Sequence, residues 1–218
     1  MPDATTRPDP ATRPDAAIRG VVFDLGNVLI EWNPRRLYRK LFADEAEMTW
    51  FLTEVCHKDW NLEQDRGRPW AEGIEEACAR HPDRRAQIEA YHRRWEETMG
   101  GAIEGSVAIL KELKAAGLPV FALTNWSAET FPVALERFDF LQWFDARIVS
   151  GEVGVVKPEP AIYRLMIERS GLPAGALAFI DDGPRNVAAA EAMGLTGLVF
   201  TGADKLRADL KALGLPLA

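Results

Sequence analysis

The sequence predicts an α/β fold, a doubly wound parallel sheet with an inserted α-helical cap, and three observations carry that prediction. The run Val21-Val22-Phe23 is short, apolar and bounded by turn residues, as a strand buried on both faces of a parallel sheet should be. From residue 105 onward, similar runs at 119–123, 147–149, 176–180 and 196–200 alternate with helix-length segments. Between them, residues 34–100 show helical patterning and turns with no strand-like run. That block interrupts the sheet after its first strand and falls on the crevice side, where a lid would sit. The expected division is an arm over residues 1–17, a catalytic core over 18–33 and 101–218, and a helical cap over 34–100.

The elements follow in order. The arm repeats itself, Thr6-Arg7-Pro8-Asp9 and then Thr12-Arg13-Pro14-Asp15, and has almost nothing to bury, so it is expected to be disordered. Pro34 opens a helix over 35–42. Met48, Phe51, Leu52 and Val55 recur at helical spacing over 45–55. Pro69 opens another helix with Trp70, Ile74, Ala77 and Cys78 on one face, and His81-Pro82-Asp83 breaks it. A last cap helix is expected to run through Ile88, Tyr91, Trp95 and Met99 to Gly100-Gly101. Trp50, Trp60, Trp70 and Trp95 fall in this block and suit a helix-bundle core. In the second half, a helix over 106–116 ends at Gly117. Others are expected from near Ser127, over 160–169, up to Gly194 and over 203–213, with Lys157 in a loop over 151–158.

Composition narrows the function. A net charge of −7 argues against a nucleic-acid or anionic-membrane partner. With 47% hydrophobic and 27% charged residues the chain has an ordinary globular composition. No apolar run is long enough to span a bilayer, and the N-terminus lacks the apolar stretch of a secretory signal. Cys56 and Cys78, without Cys-x-x-Cys spacing, suit reduced thiols and a cytoplasmic protein. Monomer and homodimer are both compatible with the sequence.

Asp24 directly follows the first strand, where the ligand crevice of an open α/β sheet lies. On that stretch alone, a turn-capping Asp and a catalytic Asp are equally open. Two other strands also end in polar groups, at Thr124-Asn125 and Asp181-Asp182, and Lys157 precedes a helix. Right-handed crossovers bring all of these to one edge. Carboxylates facing one another there call for a divalent cation. A hard oxygen site with few protein ligands suits Mg²⁺, which keeps waters and accepts a substrate phosphate. A hydroxyl, an amide and an ammonium beside it would neutralise phosphoryl oxygens, and an Asp could attack phosphorus to give an aspartyl-phosphate.

These residues stand in strings that resemble the four motifs of the haloacid dehalogenase-like (HAD) hydrolase superfamily, in order and spacing. They are Phe23-Asp24-Leu25-Gly26-Asn27-Val28-Leu29, Leu123-Thr124-Asn125-Trp126-Ser127, Val156-Lys157-Pro158-Glu159-Pro160 and Phe179-Ile180-Asp181-Asp182-Gly183-Pro184-Arg185-Asn186. The resemblance implies a Rossmann-like core and a phosphohydrolase with Asp24 as nucleophile and metal ligand. It also implies a Gly26 carbonyl and Asp182 on Mg²⁺, with Asp181 close by. Thr124, Asn125 and Lys157 would hold the phosphoryl group, Asn186 would orient the metal shell, and the cap would select a small phosphorylated metabolite, a sugar phosphate first.

One position departs from that pattern. Many phosphatases of the superfamily carry a second Asp two residues after the nucleophile as general acid, and here Gly26 stands there. Loss of such an acid costs on the order of 10²–10⁴ in rate for a poor leaving group. Water, a substrate group or a cap residue such as His57 would have to replace it, although His57 reads first as a surface or cap-packing histidine. Trp32 and Trp126 are open between packing and lining the substrate pocket. The alternatives are a metal-independent 2-haloacid dehalogenase, for which the acidic pair Asp181-Asp182 has no use, and a non-catalytic phosphate-binding domain, for which the nucleophile has none.

Overall fold

Five parallel strands form the sheet in the order β5-β4-β1-β6-β7, with β1 (Gly20–Phe23) at its centre. The structure is a computed structural model and describes residues 17–218. All of the expected disordered arm except Ala17 lies outside the described residues. The other strands are β4 (Val120–Thr124), β5 (Ala146–Val149), β6 (Leu177–Asp181) and β7 (Thr196–Val199). The chain winds outward from β1 to β5 on one side and then crosses to β6 and β7 on the other. The winding direction therefore reverses between β1 and β6, and ligands of doubly wound sheets bind at that switch point.

Side chains of β1 alternate between two apolar layers. Val21 and Phe23 pack with Ile109, Leu110 and Leu113 of α6 (Glu104–Ala115) and with Leu206 and Leu210 of α11 (Ala203–Ala212). Val22 packs on the opposite face with Ile162, Tyr163 and Met166 of α9 (Pro160–Ser170) and Ala190 of α10 (Pro184–Ala192). Burial on both faces explains the unbroken apolar runs.

The cap helices are α1 (Arg35–Tyr38), α2 (Glu45–Trp50), α3 (Lys58–Asp65), α4 (Trp70–Arg80) and α5 (Arg85–Arg93). α2 continues into a π-helical turn, Phe51–Val55. Rings of Tyr38, Phe51, Trp60, Trp70 and Tyr91 build the centre of the cap at centroid separations of 4.9 to 5.8 Å. Trp60, Trp70 and Trp95 are buried as expected, but Trp50 is 42% exposed. Both cysteines are buried and free. No helix among the described residues is long and apolar enough to cross a membrane.

Several elements differ from expectation. The helical block holds a strand: β3 (Met99–Ala102) pairs antiparallel with β2 (Ile30–Trp32), so a two-stranded ribbon carries the chain into and out of the cap. The helix expected to reach Gly101 stops at Arg93, and a 3-10 turn over Trp95–Thr98 follows. Gly100 serves the ribbon rather than a helix end, since a Cβ there would lie 2.2 Å from the Glu31 carboxylate. The first cap helix ends at Tyr38, short of residue 42. Helix α7 (Phe131–Arg137) starts four residues after Ser127, because Ser127 accepts the N–H groups of Glu129, Thr130 and Phe131 in a turn. One helical turn, α8 (Ser150–Val153), occupies the start of the expected loop.

Candidate active site

The register of the sheet assembles the site. The Asp24 N–H donates to the Ile180 carbonyl at 2.8 Å, which continues the β1–β6 ladder and sets Asp24 level with Asp181. Thr124 ends β4 on the other side of β1. Just past Asp24 the chain turns sharply: the N–H groups of Leu29 and Ile30 both donate to the Leu25 carbonyl at 2.9 Å. Asn27 takes φ +55° in this turn, and its side-chain oxygen accepts the Trp32 N–H at 3.0 Å. Asn tolerates that left-handed conformation better than most residues.

Lys157 joins the carboxylates. Its ammonium lies 2.9 Å from Asp24 Oδ1 and 2.6 Å from Asp181 Oδ2, and it is 2% exposed. Asn125 holds the Lys157 backbone from both sides, accepting its N–H at 2.8 Å and donating to its carbonyl at 3.0 Å. Asp181 is fully buried. It accepts from Gly183 N–H at 2.8 Å and from Asn186 Nδ2 at 2.9 and 3.1 Å. Tyr163 in turn donates to the Asn186 carbonyl at 2.9 Å.

Burial pushes the Asp24 carboxyl up to about 7 against the pull of Lys157, and Asp181 and Asp182 push the same way. Burial also raises Asp182, with Asp181 adding to the shift and Lys157 and Asn27 opposing it. Burial works against the Lys157 ammonium, but Asp24 and Asp181 together hold its pKa above the usual value.

Asp24, Asp181 and Asp182 each bring a carboxylate oxygen within 4.8 Å of the others. Three carboxylates against one ammonium leave an excess of negative charge, and a hard divalent cation fits that donor set. Asp182 is the exposed member, whereas the oxygens of Asp181 already serve Lys157, Gly183 and Asn186. No atom of the described residues lies within 4 Å of a Cβ built on Gly26, and its φ is not positive, so position 26 has room for a side chain.

The remaining expected residues fall into place as follows. Thr124 is buried, and its hydroxyl makes no hydrogen bond among the described residues. Trp126 is buried between Trp95 and Phe131 at 5.2 and 5.6 Å, and its indole N–H has no partner among the described residues. Trp32 lies in the ribbon, partly buried against the main core. His57 caps α3, its Nδ1 accepting the Trp60 N–H at 3.2 Å.

Sequence reasoning missed the contacts between cap and core. The Ser150 hydroxyl donates to the Asp65 carbonyl and accepts the Trp126 N–H at 2.8 Å. Trp70 donates its indole N–H to Ser127 Oγ at 3.0 Å and its backbone N–H to Glu129 at 2.9 Å. Arg66 pairs with Glu159 at 2.6 Å. The Asp65 carboxylate accepts from Asn61 at 2.9 Å, and burial pushes it up to about 7 against the pull of the Ser127 backbone N–H. Of these, only Ser127 carried a local signal, its place next to Thr124-Asn125-Trp126.

A family model described as haloacid dehalogenase-like hydrolase matches residues 18–194. Drimenol cyclase drtB of Aspergillus calidoustus is 25% identical over 196 residues, which are 88% of this chain but 36% of that protein. The chain thus spans about a third of that relative's length. Sesquiterpene phosphatase astK of Aspergillus oryzae is 27% identical over 84% of this chain and 90% of its own. Phosphoglycolate phosphatase of Pectobacterium atrosepticum is 26% identical over 84% and 80%. A HAD family enzyme of Bacteroides thetaiotaomicron, crystallised with magnesium and inorganic phosphate, superposes with a TM-score of 0.65 at 22% identity. That match covers 85% of this chain and 95% of that one.

Proposed function

The chain belongs to the haloacid dehalogenase-like hydrolases, and from its site we infer that it hydrolyses small phosphate monoesters through an aspartyl-phosphate on Asp24. Its phosphatase-named relatives support a hydrolase acting on phosphate esters. The observation that carries the finer reading is the Lys157 ammonium set between Asp24 and Asp181 at the switch point of the sheet, with Asp182 beside them.

Asp24 attacks phosphorus and the bond to the leaving oxygen breaks, which leaves the phosphoryl group on the Asp24 carboxylate. Water then cleaves the acyl phosphate, releases inorganic phosphate and restores Asp24. Lys157 favours the ionised form of the Asp24 carboxylate, orients it and stands close to the phosphoryl oxygens. The Thr124 hydroxyl supplies a further donor. Asn125 acts chiefly by fixing the Lys157 backbone, with one amide N–H left for the phosphoryl group. Asn186 and Gly183 hold Asp181, which in turn holds Lys157.

Asp24, Asp182 and the Gly26 carbonyl would bind Mg²⁺, with Asp181 adjacent. When bound, the cation neutralises the charge that builds on the phosphoryl oxygens. The leaving group receives no proton from residue 26, so substrates with good leaving groups are favoured. A sugar 1-phosphate, a small metabolite with such a leaving group, is the first substrate to test. The helices between β2 and β3, with boundaries near residues 34 and 100, act as the cap that selects it.

The test is phosphate release from p-nitrophenyl phosphate and a panel of sugar phosphates, with Mg²⁺, with EDTA, and with Asp24→Asn. Turnover that both EDTA and the substitution abolish is the expected result. Halide release from 2-haloacids that persists in EDTA would instead place the chain among dehalogenases. Absence of any turnover would leave a phosphate-binding domain.

A further inference from the structure

Apart from the contacts of His92 with Glu129, Trp95 with Trp126 and the Glu96 carbonyl with Arg137, one short cap segment meets the core beside the phosphoryl-binding residues. On the cap side are Asp65, Arg66, Gly67 and Trp70; on the core side are Ser127, Glu129, Ser150, Gly151 and Glu159. The backbones approach closely here. A Cβ on Gly67, at φ +112°, would lie 3.0 Å from the Gly151 carbonyl oxygen. A Cβ on Gly151 would lie 2.4 Å from the Ala128 nitrogen and 2.9 Å from the Trp126 carbonyl oxygen. Three stretches of backbone (65–67, 126–128 and 150–151) therefore approach one another closely at Gly67 and Gly151.

Ser150 is the fully buried side chain at their junction. Its hydroxyl donates most closely to the cap at the Asp65 carbonyl, with the Trp126 carbonyl a longer acceptor at 3.4 Å, and its oxygen accepts the Trp126 N–H two residues after Thr124. The Gly151 N–H also donates to the Trp126 carbonyl at 3.1 Å. Residue 126 is thus held at both its N–H and its carbonyl by two residues that also meet the cap segment. The same stretch includes Asn125, which fixes the backbone of Lys157.

We propose that Ser150 is a positioning residue that links docking of the cap segment 65–70 to the alignment of the phosphoryl-binding loop 124–127. When the cap is seated, the Asp65 carbonyl takes the Ser150 proton and aims the hydroxyl oxygen at the Trp126 N–H. When the cap lifts, that proton is free to rotate to other acceptors, and the loop loses the oriented partner that sets Thr124 and Asn125. Catalytic geometry is then complete only with the cap closed, which is also when the site is shielded from water. This inference rests on the proposed phosphohydrolase reading, but the coupling itself is measurable without turnover.

The test uses the full-length chain with Ser150→Ala and Gly67→Ala. Ser150→Ala removes one hydrogen-bonding group. The expected loss is about tenfold in kcat for p-nitrophenyl phosphate, with KM little changed. Inhibition by orthovanadate, which mimics the transferring phosphoryl group, should weaken by the same factor, and Ser150→Thr should recover part of it. Amide hydrogen exchange over 124–127 should speed up in Ser150→Ala without a matching fall in Tm. Gly67→Ala adds a methyl group on the cap against the Gly151 carbonyl. It should also speed exchange at 124–127, although the atoms nearest the added methyl group belong to Gly151. This second variant carries the test if Ser150→Ala does not fold. Unchanged exchange at 124–127 in both variants, or a kcat loss that only follows the unfolded fraction, would overturn the proposal. If the wild type hydrolyses no phosphate ester, the phosphatase reading fails, and the exchange data alone decide the coupling.

Discussion

Replacing Lys157 with Met tests the electrostatics of the site directly, because the side chains are similar in length and only one carries charge. Lys157 is 2% exposed, and its ammonium lies 2.9 and 2.6 Å from two carboxylates. Taking one partner out of a buried ion pair costs about 3–5 kcal/mol, since the remaining charge is left uncompensated. Asp24 can relieve part of that by taking up a proton, its carboxyl being already raised to about 7. A loss near the lower end, about 3 kcal/mol, is therefore expected at neutral pH. Met removes the influence that lowers Asp24, so the folded-state pKa rises further above its unfolded value. A carboxyl raised on folding stabilises below its unfolded pKa and loses that contribution as pH rises through the folded pKa. The deficit of Lys157→Met should accordingly widen as pH rises above about 7. Urea unfolding in EDTA at pH 6 and pH 8.5 measures both effects. With a slope of about 2 kcal/mol/M, the midpoint should fall by about 1.5 M at neutral pH. Mg²⁺ should narrow the gap by supplying charge where the ammonium was. Equal midpoints for variant and wild type at both pH values would refute the reasoning, because the carboxylates would then need no buried cation.

The residues that gather at the sheet edge were legible for a topological reason. Asp24, Thr124 and Asp181 each end an apolar run, and parallel strands joined by right-handed crossovers leave no other edge for them. Lys157 was legible through its motif, but its bridging of two carboxylates was not. The ribbon was hidden in two ways. β2 and β3 are only three and four residues long, and Met99-Gly100-Gly101-Ala102 reads as a helix stop unless the approach of Glu31 to Gly100 is known. Helix α3 was hidden because much of its buried face is polar: Asn61 and Gln64 are buried beside Trp60, so hydrophobic spacing gives no helical signal. The contact of Asp65 with Ser150 joins residues 85 apart in sequence, and neither has a local pattern that points to the other. Strand-end chemistry thus follows from topology, whereas the seating of the cap depends on long-range packing that local patterns do not encode.

Two further predictions concern single carboxyl groups. Asp65, half-buried in the cap, is raised to about 7, so its contribution to stability is present below about pH 4 and lost as pH rises to about 7. Asp65→Asn should remove that dependence, gaining about 2 kcal/mol relative to wild type between pH 4 and pH 7.5 in paired urea titrations; parallel curves would show that the carboxyl is well solvated. Gly26→Asp places a carboxyl where a Cβ meets no atom within 4 Å and the backbone is not left-handed, so it should fold without strain. If residue 26 is the point from which a leaving group is protonated, the variant should gain on the order of 10²-fold on alkyl phosphates and little on p-nitrophenyl phosphate, whose leaving group needs no proton. The added carboxyl would titrate beside Asp24 and Asp182, so the gain should also fall away at alkaline pH as the acid ionises. Equal effects on both substrates would mean that the new carboxylate acts through the field or the metal, and that the leaving group receives its proton from elsewhere.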